Sequence, residues 1–335
     1  MYFDKSRILD MCKYSVLSYK TELEVNEIYN LYSNYKNTVI GNDKFHIFRN
    51  INEKPIYVEN KSSCDTSCFV YKEILIDNKT NNQTNIIVSF KGTNEFSKSN
   101  YDCSKSVLNL PNEINNFFNI NPKVCKEFNQ NFEYIKENLS IVLEKLTEQN
   151  FENSNIITNL NSIELDDNNE KNTLLLKNEP NKTTENLEKL SYNIIFCGHN
   201  IGGGLAHIAS LYYKLLYPNI NVYCISFGSP RVGNYKFVKL FQKHIDEHLR
   251  IVHINDITPL MYSSLIYTHP NNIMYIGNKN KCMTKYMTKY MTKYMTKYDY
   301  FKNMFFSLFN LYKYPSWSSY KEYNILQYLD YLDKL

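Results

Sequence analysis

A chain of 335 residues has room for one large domain or two small ones, and its 43% apolar share excludes wholesale disorder. The formal net charge is only +4, with lysines interleaved among acids, so no basic stripe for nucleic acid is present. The apolar share is unusual in kind: 30 Tyr and 19 Phe stand against one Trp. Roughly one residue in seven is Asn, the mark of an AT-rich coding sequence rather than of selection for a partner. Met1-Tyr2-Phe3-Asp4-Lys5 does not open an apolar leader, and no stretch approaches the roughly 18 apolar residues of a membrane span. The expectation is an intracellular, cytoplasmic protein whose eight cysteines are reduced thiols. Cys64 and Cys68 form one close pair, but no second Cys/His pair stands at a zinc-like spacing, so no metal and no cofactor is expected.

In chain order, Ile8, Leu9, Met11, Cys12, Val16 and Leu17 mark a helix over residues 7–20. Strands follow at 67–75 and 85–90, the second running into the tight turn Lys91-Gly92-Thr93. Phe128, Phe132, Ile135, Leu139, Val142, Leu143 and Leu146 predict an amphipathic helix from Lys126 to Leu146. Residues 150–191 lose all periodicity in favour of Asn, Glu, Asp and Thr, and read as a disordered insertion. Order resumes with a buried strand at 192–197, a helix over 205–212, a strand at 221–227, a helix near 235–246 and a strand at 250–254. Strands alternating with helices predict a mostly parallel sheet. Within 279–299 the unit Met-Thr-Lys-Tyr repeats from Met283 to Tyr298, too short to bury a face of its own. It reads as a surface insertion, with a basic, aromatic membrane contact as the alternative. The aromatic segment 300–335 predicts a C-terminal helix packed on the core, with interfacial lipid contact by its Tyr300–Trp317 stretch as the alternative.

The chemistry-bearing segment is Ile195-Phe196-Cys197-Gly198-His199-Asn200-Ile201-Gly202-Gly203-Gly204-Leu205-Ala206. A buried strand turns sharply into a helix, with Gly198 two before and Gly202 two after the central residue. In a nucleophile elbow such glycines let strand and helix approach closely around an exposed apex, normally Ser, Cys or Asp. Here the apex is Asn200.

These residues resemble the class 3 (fungal-type) triacylglycerol lipases, whose Gly-His-Ser-Leu-Gly-Gly-Ala-Leu-Ala is similar to Gly198–Ala206 with Asn in place of Ser. Val88-Ser89-Phe90-Lys91-Gly92-Thr93 resembles the family's Phe-Arg-Gly-Thr strand end. Ser226-Phe227-Gly228-Ser229-Pro230-Arg231-Val232-Gly233-Asn234 is similar to its Phe-Gly-Ser-Pro-Arg-Val-Gly-Asn. Arg250 to Pro259 and Tyr267-Thr268-His269-Pro270 resemble the segments that carry and follow the catalytic acid. The resemblance spans about residues 60–277. It implies one α/β-hydrolase domain over residues 1–335: a mostly parallel central sheet flanked by helices, carrying the two low-complexity insertions.

By that resemblance Asn200 stands at the nucleophile, Asp256 at the acid, and Thr93 with the Ile201 backbone N–H at the oxyanion hole. Gly198, His199 and Gly202 shape the elbow. The base, a His near the C-terminus, is missing: no His follows His269. The family's terminal His-x-x-Tyr is echoed by Lys321-Glu322-Tyr323-Asn324-Ile325-Leu326, which places Tyr323 near the base's slot. Residues 95–118 fall in the lid region. An amide nitrogen delocalised into its carbonyl is a very poor nucleophile, and loss of a triad Ser or His alone costs about a million-fold in turnover. Two functions stay open. One is a degenerate lipase that binds a lipid or acyl ester, a membrane surface or a protein partner. The other is an active lipase or esterase with a substitute base such as His253 or His269, or with Asn200 deamidated to Asp, a step that bulky Ile201 slows.

Overall fold

A computed structural model describes residues 2–35, 48, 51, 53–59, 66–75, 83–92, 105–108, 122–147, 192–253, 256, 258–262, 265–276 and 325–334. Both low-complexity insertions and residues 300–324 lie outside them. Helices α1 (Lys5–Leu17) and α2 (Glu22–Tyr35) lead into strands β1 (Ile56–Glu59), β2 (Ser67–Leu75) and β3 (Gln83–Phe90). The short β4 (Lys105–Val107) and β5 (Lys123–Cys125) pair with each other ahead of α3 (Lys126–Thr147). Then come β6 (Tyr192–His199), α4 (Ile201–Leu216), β7 (Asn221–Phe227), α5 (Tyr235–His244), β8 (Glu247–His253), β9 (Ile273–Ile276) and α6 (Ile325–Asp333).

Seven strands form the central sheet in the order β1-β2-β3-β6-β7-β8-β9. The first two pairings are antiparallel, and all those from β3 to β9 are parallel. The mostly parallel expectation therefore holds, and the strand–helix alternation produces an α/β architecture with helices on both faces of the sheet. Strand alternation divides the core in two. Ile86, Val88, Ile194, Phe196, Val222 and Cys224 face α3, α4 and α5. Ile87, Ile195, Cys197, Ile225 and Phe227 face α1 and α6. Both faces are covered, so β6 is buried along its whole length and its sequence reads as an unbroken apolar run. The five described cysteines are buried thiols, with that of Cys197 pushed up to about 11 by burial.

Helix starts follow their capping residues. Asp4 Oδ1 accepts from Arg7 N at 2.7 Å to open α1, and Asn234 Oδ1 accepts from Phe237 N at 3.0 Å to open α5. Thr21 and Glu24 exchange bonds reciprocally at the start of α2. The sequence places the α4 helix at 205–212. The structure begins it at Ile201, because the three glycines of its first turn, poor helix formers by themselves, are the residues thin enough for this position.

The end of the sheet remote from the elbow is held by side chains. Glu73, Asn85, Asn193 and Asn221 occupy one register row on four adjacent strands. Asn221 Nδ2 donates to Asn193 Oδ1 at 3.1 Å, Asn193 Nδ2 to Asn85 Oδ1 at 2.9 Å, and Asn85 Nδ2 to Glu73 Oε2 at 2.9 Å. Arg7 on α1 closes the row with a 2.7 Å ion pair to Glu73. A one-residue slip of any strand turns its Asn to the other face, so the row fixes register. Asn193→Leu leaves the buried Asn85 oxygen without its donor, while the exposed Asn221 amide can turn to water, and a loss of about 2 kcal/mol in urea unfolding is expected. Lys334→Ala, which removes an exposed pair with Asp330, should stay within about 0.5 kcal/mol.

Candidate active site

Asn200 lies between the end of β6 and the start of α4, with φ 55° and ψ −123°. Positive φ is rare outside Gly and best tolerated by Asn or Asp. The cause of this conformation is the close approach of strand and helix. A Cβ on Gly198 would run into the Gly202 carbonyl, and one on Gly202 into the Phe90 carbonyl oxygen. Gly198 lets α4 approach β6 and Gly202 lets it approach the end of β3, and the chain between the two glycines must reverse in three residues. Both peptide groups flanking the Asn200 Cα are anchored: its N–H donates to Phe227 O at 3.0 Å, and its carbonyl accepts from Gly203 N at 3.0 Å. The apex geometry of an elbow is thus intact with an amide in place of a hydroxyl. Ile201 is the first residue of α4, where a backbone N–H has no intrahelical acceptor. That leaves it suited to an oxyanion, the role the resemblance assigns it. Thr93 lies outside the described residues, as does the 95–118 lid region apart from 105–108.

Asp256 follows β8 and is 5% exposed. Both of its oxygens are engaged. Oδ1 accepts from Thr258 N at 2.8 Å, and Oδ2 accepts from the Tyr328 hydroxyl at 2.5 Å. The Tyr328 oxygen in turn accepts from His253 N at 3.1 Å. Burial raises the Asp256 carboxyl above its ordinary range, and the two hydrogen bonds pull it back part of the way. Burial beside that carboxyl pushes the Tyr328 phenol well up, so it stays neutral and donates. Gly228, at φ 57°, gives the pair its space: a Cβ there would strike Asp256 Oδ2 and crowd the Tyr328 hydroxyl.

Tyr323 lies outside the described residues; the group that meets the acid is Tyr328, five positions later on α6. The α6 pattern Ile325-Leu326-Gln327-Tyr328 carries an apolar period, and among 30 tyrosines nothing in the sequence distinguishes Tyr328. Tyr19, just beyond α1, was equally silent. Its hydroxyl shares a 2.6 Å hydrogen bond with His199 Nδ1, and the His199 ring lies 5.6 Å from that of Tyr328. Burial lowers His199 to about 3, so it is a neutral structural imidazole.

Of the two histidines offered as substitute bases, His269 is engaged by a backbone carbonyl. His269 Nε2 is 2.7 Å from Pro259 O, and burial drives its pKa well down. It therefore steadies the turn after Asp256 as a neutral donor. His253 is buried on β8 with its ring 4.7 Å from that of Tyr331. Arg231 spends one guanidinium nitrogen on the carbonyls of Leu260, Met261 and Tyr262, holding the same loop. Among the described residues no group of three or more His, Cys, Asp or Glu could hold a metal, and no helix is long and apolar enough to cross a membrane.

Residues 171–265 match the family model of the lipases of class 3, a segment that contains the elbow, Gly228 and Asp256. Over this segment the chain is similar to the class 3 lipases. The Caenorhabditis elegans protein lipase ZK262.3 is 29% identical over 85 residues, and the match spans only 24% of this chain and 24% of that protein. Among solved structures, the native Rhizomucor miehei lipase propeptide complex is similar at 16% identity and a TM-score of 0.49, covering 82% of this chain and 70% of its own. Lipase II from Rhizopus niveus is similar at 18% identity and a TM-score of 0.48, covering 82% of each chain. Thr93, α1 and Tyr328 lie outside the matched segment.

Two measurements test this site. Tyr328→Phe strips a buried carboxylate oxygen and the His253 N–H of their partner, and about 2–3 kcal/mol of stability should go in urea unfolding at neutral pH. His199 titrates near 6.5 when unfolded and near 3 when folded. The unfolded chain therefore binds the extra proton between these values, and stability falls as pH drops from about 6.5, by about 1.4 kcal/mol per unit for this group. Unfolding curves at pH 7 and pH 5 should show a smaller acid loss for His199→Gln than for the natural chain.

Proposed function

We propose that this class 3 lipase relative has given up ester hydrolysis and retains the fold to bind an acyl lipid or a protein partner. The observation that carries the reading is the 2.5 Å hydrogen bond from Tyr328 to Asp256, which fills the acid's outer oxygen with a phenol. In a Ser-His-Asp triad that oxygen orients an imidazole, which takes the nucleophile's proton and later returns it. A neutral phenol cannot take a proton at neutral pH. Asn200 at the apex offers an amide and no hydroxyl or thiol, and the loss of a triad nucleophile or base alone costs about a million-fold. Retention of a strained apex and a buried carboxylate without their chemistry supports a surviving structural or binding role. Leu260, Leu265 and Ile266, exposed on the loop after Asp256, supply apolar surface for such a ligand.

Fluorogenic esters of short and long chain, with a fluorophosphonate probe, test this reading. The natural chain should stay at the background set by Asn200→Ala, while lipid or partner retention survives that substitution. Asn200→Ser combined with Tyr328→His, compared with its combination with Tyr323→His, should restore some probe labelling. Robust turnover by the natural chain that Asn200→Ala abolishes overturns the proposal.

A further inference from the structure

The backbone at Asn200 has a consequence that does not depend on ester chemistry. Around the Cα–C bond of an L residue, Cβ is offset by about 120° from the backbone nitrogen. With ψ at −123°, Cβ of Asn200 therefore eclipses the nitrogen of Ile201 to within a few degrees. Chains avoid that eclipse where they are free to rotate. Here they are not, because the N–H and C=O of Asn200 are tied to Phe227 and Gly203, and the elbow glycines leave no slack. The eclipse places Cα, Cβ, the carbonyl carbon and the Ile201 nitrogen in the near-planar array of a five-membered imide, which only Cγ is needed to close.

We propose that Asn200 is a self-modification site, cyclising with the Ile201 nitrogen to a succinimide that hydrolyses to Asp or isoaspartate. The Ile201 nitrogen attacks the side-chain Cγ and forms the new C–N bond. The Cγ–Nδ2 bond breaks, and Nδ2 leaves as ammonia carrying the Ile201 amide proton. Water then adds across one imide C–N bond. Opening at Cγ gives Asp at position 200, and opening at the backbone carbonyl gives the isoaspartyl linkage. No oxidant, reductant or cofactor enters.

Three features favour the reaction in the folded chain. The reacting atoms are held together, so the entropy of reaching the eclipsed conformer is met by folding. The Ile201 nitrogen is at the first position of α4, where it serves no intrahelical carbonyl, and the positive end of the helix stabilises charge that develops during attack. A β-branched neighbour slows cyclisation in a flexible chain, which must reach the same ψ by fluctuation; in the fold Ile201 is already packed and buried. Asn200 is only 4% exposed, so water reaches the imide slowly and the ammonia-loss form accumulates.

The experiment uses the freshly purified full chain in mildly alkaline buffer, native and in urea, followed by acidic digestion and mass spectrometry of the peptide containing Asn200. Ammonia-loss plus deamidated forms at position 200 should appear at least about tenfold faster in the native chain. Hydroxylamine should cleave the native sample at this bond. Asn193 and Asn221, whose amides are held in the register row, should show the opposite order, faster in urea. Modification at Asn200 no faster in the native chain overturns the proposal. So does an Asp product formed with neither isoaspartate nor hydroxylamine cleavage, which would mean direct hydrolysis of the side chain.

Discussion

The contact between Gly198 and Gly202 is the constraint from which the upper edge of this molecule follows. It presses β6 and α4 together so closely that the residue between them has no relaxed conformation available. A backbone at φ 55° and ψ −123° costs about 1–3 kcal/mol and persists because the buried strand and helix on either side cannot move apart. The strain belongs to the packing of the elbow and not to the identity of its apex. Serine chemistry can be lost from such a turn while the turn remains, and Asn, with its tolerance for positive φ, is among the least costly replacements.

Asp256 is held as firmly as the turn. Asp256 remains buried, hydrogen-bonded on both oxygens and spaced by a glycine at positive φ. A buried carboxylate left unpaired would be expensive, so the tyrosine on α6 that engages it is part of what keeps the fold stable. α6 packs on α1, and α1 brings Tyr19 to His199. The polar groups around the elbow thus form one cluster of tyrosines, histidine and aspartate drawn from both ends of the chain. At the other end of the sheet the Glu73–Asn85–Asn193–Asn221 row performs a comparable task for register, with Arg7 joining α1 to it.

Much of this was legible beforehand where local pattern and global role coincide. The strands β2, β3, β6 and β7 read as apolar runs because both faces of the sheet are covered, and α3 read as a helix because one face alone is buried. The elbow was legible because its glycines are required at fixed offsets from the apex. The start of α4 was not, since three successive glycines argue against a helix until Phe90, Ser226 and Phe128 are seen pressing on them. His253 and His269 looked available as bases in sequence. A backbone carbonyl engages His269, and His253 is buried against Tyr331.

By itself the sequence determined the order of the main strands and helices from β2 to β8, the glycine-flanked turn with Asn200 at its apex and the absence of any His from 270 to 335. These depend on residue identity and short spacings, which the linear chain carries openly. Only the tertiary structure decided that Tyr328 meets Asp256, that Tyr19 holds His199, and that Cβ of Asn200 eclipses its neighbour's nitrogen. The first two join residues 72 and 180 positions apart, a separation at which no local pattern survives. The third is a dihedral angle imposed by helix and strand meeting across two glycines, and an angle of that kind exists only once the two have packed.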